Sequence, residues 1–506
     1  MNNPDERTAV ELFGKESKYF GACVLLVTMP GLPMLGHGQV EGFHEKYGME
    51  YKRAYWDEPV DEHLVKEHEW RIFPLMRRRW LFSGADNFAF YDFWVNGSVN
   101  EDVYAYSNRV GDHRALIVYH NKYDTTSGWI RSSTSYAVRS GNGDEMSLTQ
   151  TTLGQSLDFK GDGRHYYIFR DYSSGLEYIR NGRELCEQGL FVEMGSYEYH
   201  AFLDFREIWD DEYGTWGKLC HQLQGGAVPS MDEEVKQVRF SPLIGKLREV
   251  IARHCGLLTG DFAELDSKTL KRTRDAFLAD LEQFLAALAE TGELEGPPKS
   301  LINYLKKELV WLEKDYAKGE AGLAPNGYTA RLLVFSWLCL HRVGELEQGD
   351  EPAAATTELV ERFGLARPLQ EELYAEGGAP DDPLSTLDVP ALMNLFAAML
   401  HWQELLALSH EEQEDWLEEL LSDRSVARFI GRHSSGGFEW FVKERWEMLV
   451  RWLALAELVN EAGSATSGRV QAAAGKAVRE KAESLVERGE NSGYRVDRFL
   501  EARDQS

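Results

Sequence analysis

The strongest constraint on this chain is a change of hydrophobic period partway along it. Between Phe88 and Phe202, short runs rich in β-branched and aromatic residues alternate with turn signals. Val103–Ser107, Ala115–Tyr119, His165–Phe169, Leu176–Ile179 and Tyr197–Phe202 are such runs, separated by Gly111-Asp112, Gly161-Asp162-Gly163 and Asn181-Gly182. Residues of this kind favour a pleated, half-buried surface, so an antiparallel β-domain is expected over 85–208. Trp129 to Gln155, rich in Ser, Thr and Gly, reads as an excursion from it.

Beyond about residue 210 the period becomes helical. Leu270, Phe277, Leu278, Leu281, Phe284, Leu285 and Leu288 line one face of a helix. Leu301, Leu305, Leu309 and Leu312 line a second, with Ser300 placed to cap it. Further helices are expected over 328–343, 386–408, 411–422, 438–460 and 469–488. The expectation is an all-helical domain, 235–506, after a linker at 209–234 where Gly225-Gly226 and Pro229 break both periods. No fixed repeat runs through it, so TPR- or HEAT-type solenoids are not supported. Trp402, Trp416, Trp440, Trp446 and Trp452 fall on helical patterns and read as core.

The first 84 residues have a different order. A helix from Ser17 to Met29 leads to Pro30-Gly31, a short strand at Pro33–Gly36, a polar loop, and a helix over Glu67–Phe82 with Pro74 as its weak point. Helix, strand, loop, helix is the order of the last repeat of a (β/α)8 barrel. An open barrel remnant would leave its helix faces uncovered. The loop from Gly31 to Glu58 gathers Gly36, Gly38 and Gly42 with His37, His44, Gln39 and several acids. Closely spaced Gly permits sharp turns, and polar side chains there are placed to converge on a ligand; a merely solvated loop is the alternative.

Composition narrows the partners. Lys and Arg number 55 against 83 Asp and Glu, a net charge of −28. So acidic a chain repels phosphate backbones and anionic lipid, which argues against nucleic acid and membrane partners and leaves neutral sugars open. Cys23, Cys186, Cys220, Cys255 and Cys339 are scattered without a C-x-x-C pair, so a reducing cytoplasm is expected. The N-terminus lacks a signal-peptide pattern and the apolar runs are too short to span a membrane. His63-x-x-x-Glu67-His68 fits no zinc motif, and Gly36-x-Gly38-x-x-x-Gly42 misses the dinucleotide fingerprint, so no metal or cofactor is expected.

Asn3-Pro4-Asp5, Pro30-Gly31-Leu32-Pro33-Met34-Leu35, Gly38-Gln39 and the stretches Asp102–Arg109 and Leu116–Asn121 together resemble the α-amylase superfamily of glycosidases and transglycosidases. Asn3-Pro4-Asp5 is similar to that family's last catalytic motif, Asn-His-Asp, and Gly38-Gln39 to its Gly-Gln-Glu turn after the eighth barrel strand. Pro4 stands where the family has His, and Val40 separates Gln39 from Glu41. The resemblance covers about residues 2–208 and implies a barrel end at 1–84 followed by the family's antiparallel C-terminal domain at 85–208. It implies Asp5 as the catalytic carboxylate that fixes sugar hydroxyls, and His37, Gln39 and Glu41 as ligands of an α-glucan or oligosaccharide. Retaining hydrolysis needs two carboxyl groups about 5 Å apart. In this family both precede the motif that Asp5 resembles, so the resemblance implies the C-terminal part of a longer enzyme, not competent by itself. Two other readings stand beside it: a noncatalytic glucan-binding module whose helical half docks a protein partner, and an all-α regulatory or scaffold protein that binds no sugar.

Overall fold

The computed structural model describes residues 2, 7–45, 55–139, 146–259, 267–318, 327–347, 349, 351–376, 384 and 386–502. The chain divides into two compact units, Met1–Arg239 and Phe240–Ser506.

The first unit opens with helices α1 (Ala9–Phe13), α2 (Ser17–Thr28), α3 (Glu62–Arg71), α4 (Phe73–Arg77) and α5 (Arg79–Phe82). The single helix expected over Glu67–Phe82 is thus three: Ile72 and Arg78 interrupt it, and Pro74 sits in the first turn of α4, where its missing N–H costs nothing. Pro33–Gly36, expected as a strand, forms no ladder.

The strands are β1 (Ala89–Val95), β2 (Ser98–Val99), β3 (Val103–Val110), β4 (His113–His120), β5 (Thr126–Ser133), β6 (Tyr136–Arg139), β7 (Met146–Thr149), β8 (His165–Asp171), β9 (Glu177–Asn181), β10 (Leu190–Met194) and β11 (Tyr199–Trp209). Helices α6 (Leu153–Ser156) and α7 (Gly182–Glu187) are inserted among them. The main sheet is antiparallel and curled, in the order β10-β5-β1-β3-β4-β11-β8-β9, with β2 added beside β1. Thr126–Ser133 is therefore an interior strand of the sheet, and β6 and β7 pair with each other as a separate hairpin.

Alternation along the strands gives the sheet two apolar faces. Tyr91, Phe93, Leu116, Val118, Ile130, Phe169 and Phe202 fill the concave interior. Tyr106, Ala115, Ile117, Tyr119, Ala201 and Leu203 point outward and meet Tyr19, Phe20, Cys23, Val24 and Val27 of α2. The helix faces of 1–84 are accordingly covered by the sheet. Contact is so close that a Cβ on Gly21 would fall 2.0 Å from Tyr119 Cε2. Arg79 closes the C-terminal end of α2, donating to the carbonyls of Val27 at 2.8 Å and Met29 at 2.7 Å, groups a helix end leaves unpaired.

The interval 209–234, expected as a linker, is folded. Helices α8 (Thr215–Leu223) and α9 (Met231–Arg239) bury Trp216, Leu219, Met231 and Val235 against Ile168 and Ile179 of β8 and β9.

The second unit is helical, its longest helices being Ser267–Gly292, Pro298–Lys318, Lys443–Ser464 and Gly468–Asn491. One small hairpin, His433–Ser435 with Phe438–Trp440, departs from the all-helical expectation. Trp402, Trp446 and Trp452 are buried in its core, whereas Trp416 is exposed. A charged cluster lies within that core. Glu308 is fully buried, 3.1 Å from His341 Nε2 and 2.7 Å from Arg342 Nε, and Gly463 leaves room for its carboxylate.

Candidate functional site

The polar loop turns at residues 37–42. Gly38 and Gly42 adopt φ of 72° and 78°, and a side chain at Gly38 would also strike Phe43. The Gly38 carbonyl accepts from the Phe43 amide at 2.8 Å, closing the turn.

Three elements hold this turn. Its Glu41 carbonyl accepts from the Asp61 amide at 3.0 Å. Asp61 in turn caps α3, accepting from Leu64 N at 3.1 Å and from Lys15 Nζ at 2.8 Å. Lys15 first, and then the Leu64 amide, hold the Asp61 carboxyl below its usual range. Below the turn, Tyr19 Oη donates to the Gln39 carbonyl at 2.9 Å and lies 2.8 Å from His68 Nε2. Because the carbonyl can only accept, the Tyr19 proton is committed to it, and His68 Nε2–H is the donor to Tyr19. Burial drives the His68 pKa down to about 4, so its ring is neutral and Nδ1 is bare; among the described residues Nδ1 has no partner. Burial likewise raises the Tyr19 hydroxyl and pushes the Cys23 thiol up to about 12. Burial thus keeps this cluster neutral at physiological pH, and its hydrogen bonds hold the turn from below.

The third tie is the N-terminal segment. Asn2 N donates to Gln39 Oε1 at 3.0 Å, and Asn2 Nδ2 to the His37 carbonyl at 3.2 Å. Asn2 Oδ1 also accepts from Ala9 N at 2.5 Å. A Cβ on Gly36 would overlap the Asn2 carbonyl oxygen at 2.2 Å.

The expected site residues therefore separate. Asp5 lies outside the described residues. His37 is exposed at the turn, its ring 6.1 Å from that of Phe43. Glu41 is half-buried beside it. Gln39 is fully buried and turns its amide inward, to Asn2 and towards Cys23 Sγ at 4.0 Å. The neighbouring acids are engaged with backbone amides. Glu58 accepts from His44 N at 2.8 Å and Glu45 N at 2.6 Å; Glu45 accepts from Tyr55 N at 2.6 Å and Trp56 N at 3.1 Å. Tyr55 and Trp56, anchored this way, present exposed rings.

Tyr19, Cys23 and His68 were not singled out as parts of this site by the sequence reading. A signal was present: Tyr19 and Cys23 stand four apart on the apolar stripe of α2, where a hydroxyl and a thiol require partners. Elsewhere in the unit, buried Asp171 accepts from His200 Nδ1 at 2.9 Å, from Ser173 Oγ at 2.6 Å and from Ser174 Oγ at 3.0 Å. Its lone pairs are consumed in fixing the β8–β9 turn to β11. Among the described residues no cluster of His, Cys, Asp and Glu is placed to hold a metal, and no helix is long and apolar enough to cross a membrane. The chain matches no family model, no curated protein and no solved structure.

Proposed function

We propose that this chain binds α-glucan as the C-terminal part of an α-amylase-superfamily protein, and does so without turnover by itself. Residues 1–84 would be the end of its (β/α)8 barrel and the curled sheet its C-terminal domain. One observation carries the reading: Asn2 meets His37 and Gln39. The resemblance requires the Asn3-Pro4-Asp5 segment and the Gly38-Gln39 turn to border one sugar site, although they are far apart in sequence. Two hydrogen bonds and the absent side chain of Gly36 join the residue before the first to the second.

On this reading exposed His37 and half-buried Glu41 contact sugar hydroxyls, and Gln39 sets the turn from beneath. The exposed ring of Trp56 offers a face on which a pyranose stacks. Absence of turnover is what the resemblance implies: the family's nucleophile and acid/base precede the motif that Asp5 resembles, and of the nearby acids Glu45 and Glu58 already accept from backbone amides. Five cysteines, all free, support a cytoplasmic setting.

Titration calorimetry of the full chain with maltoheptaose tests the site. Asp5→Asn and His37→Ala should each weaken binding by about tenfold, the loss of one charged or polar contact. Unchanged affinity in both variants would remove the turn from the binding surface.

A further inference from the structure

Three strands that neighbour one another at the β10 edge of the sheet carry a row of rings. Trp94 of β1 stands directly opposite Trp129 of β5, and Trp129 directly opposite Phe191 of β10. Side chains in register on adjacent strands share a face, so the three stand side by side at the strand spacing of about 4.8 Å. The Trp129 and Phe191 centroids are 5.3 Å apart. Gly128 permits this closeness: a Cβ there would fall 2.4 Å from the Trp94 carbonyl oxygen.

The row lies on the convex face that α1–α5 cover elsewhere. That cover reaches Phe90 and Tyr104 and does not include Trp94. Trp94 remains 38% exposed and Phe191 41%, with Trp129 half-buried between them. A single exposed ring is ordinary; three in register beside an open sheet edge are a liability that folding alone does not require.

The surroundings identify what the rings suit. They line a groove of about 1130 Å³ that also presents Glu193, Asn96, Thr126 and Ser127, and neither Lys nor Arg contributes to its lining. Among the described residues the Glu193 carboxylate has no hydrogen-bond or ion-pair partner on its side-chain oxygens. Such a lining repels phosphate and acidic peptides. It combines apolar ring faces, repeating one per strand, with carboxylate, amide and hydroxyl groups. That is the chemistry of a neutral chain of pyranose rings, whose C–H faces stack while their hydroxyls bond sideways.

We infer that Trp94, Trp129 and Phe191, with Glu193 at their rim, form a second binding surface for a neutral oligosaccharide chain, distinct from the Gly36–Phe43 turn. The assignment of α-glucan to it rests on the function proposed above. One pyranose lies against each ring, and Glu193 accepts from sugar hydroxyls. The same carboxylate, exposed on edge strand β10, also discourages another strand from adding there.

The test uses the full chain and its Trp129→Ala, Phe191→Ala and Glu193→Gln variants, with folding checked by far-ultraviolet circular dichroism. Probes are maltoheptaose, a β-linked cellohexaose and a Lys-rich peptide, each followed by calorimetry and tryptophan emission. Trp129→Ala should remove one class of maltoheptaose sites, and Phe191→Ala should weaken it by roughly threefold to tenfold, the loss of one stacked ring. His37→Ala should leave this class untouched. Maltoheptaose binding lost only in His37→Ala would overturn the second surface and leave the proposed function standing. Cellohexaose bound through Trp129 without any maltoheptaose binding would keep the surface and overturn the α-glucan reading. Trp129-dependent capture of the Lys-rich peptide instead of sugar, Trp129-dependent self-association of the chain, or no binding by any probe, would each overturn the inference.

Discussion

Acid should loosen the turn through His68. The ring is fully buried, with Nε2 2.8 Å from Tyr19 Oη. Burial lowers its pKa from 6.5 to about 4, and Glu41 opposes this more weakly. The folded value lies below the unfolded one, so between them the unfolded chain carries a proton that the folded chain excludes. Stability from the neutral ring is therefore complete above about pH 6.5 and is lost as pH falls towards about 4. At about 1.36 kcal/mol per unit the whole window is worth about 3.4 kcal/mol, of which roughly 2.4 kcal/mol falls between about pH 7 and about pH 4.5. His68→Phe keeps a ring against Phe20 and Phe73 and removes the titration. It should cost about 1 kcal/mol at neutral pH, from the hydrogen bond lost to Tyr19, and should equal or exceed the native protein in stability at about pH 4.5. Amide exchange of Cys23–Val27, measured against urea at both pH values, reports the first unit alone. Titrations common to both proteins cancel in the difference. Parallel pH profiles for the two would mean that burial does not shift the titration of His68.

Two further outcomes follow from the packing. Glu457 is buried with Oε2 unpartnered among the described residues; burial, then Glu461 and Glu404, raise its pKa to about 8. Its folded value lies above the unfolded one, so stability falls as pH rises from about 4.5 to about 8, and Glu457→Gln should gain roughly 3 kcal/mol at about pH 7 and nothing at about pH 4.5. Exchange of the Lys443–Ser464 amides measures this; a variant less stable than the native protein at both pH values would contradict it. Gly21→Ala, which raises intrinsic helix stability by about 1 kcal/mol, should instead lower the melting temperature of the first unit, because its Cβ meets Tyr119. A raised melting temperature would mean that α2 does not dock on β4 as described.

Much of the fold was legible because burial writes a period into the chain. Val103–Ser107 and Ala115–Tyr119 lie inside β3 and β4, and the stripe from Tyr19 to Val27 is the buried face of α2. Among the longer strands of the main sheet, those that escaped were β1, β5 and β10. Phe90 and Phe93 of β1 both meet apolar partners, on opposite faces, so alternation is blurred there. The Thr, Gly and Ser of β5 resemble a loop until pairing on both sides gives Ile130 its core position. These are the strands that carry the aromatic row, so that surface depends on register and not on local pattern. At the turn, Gly38 and Gln39 stood out by spacing. That Gln39 faces inward could not be read from sequence, because it depends on Asn2 and Tyr19 arriving from other elements. Likewise α3, α4 and α5 replaced one expected helix, since the fold needs Arg79 turned back onto the end of α2.

On the function proposed above, the chain holds α-glucan and leaves it intact. Titrating the full chain with maltoheptaose, then resolving the same solution by chromatography, measures both halves at once. Saturable binding heat is expected, with maltoheptaose recovered at its original length. Absence of binding, or the appearance of shorter maltooligosaccharides that Asp5→Asn abolishes, would contradict it.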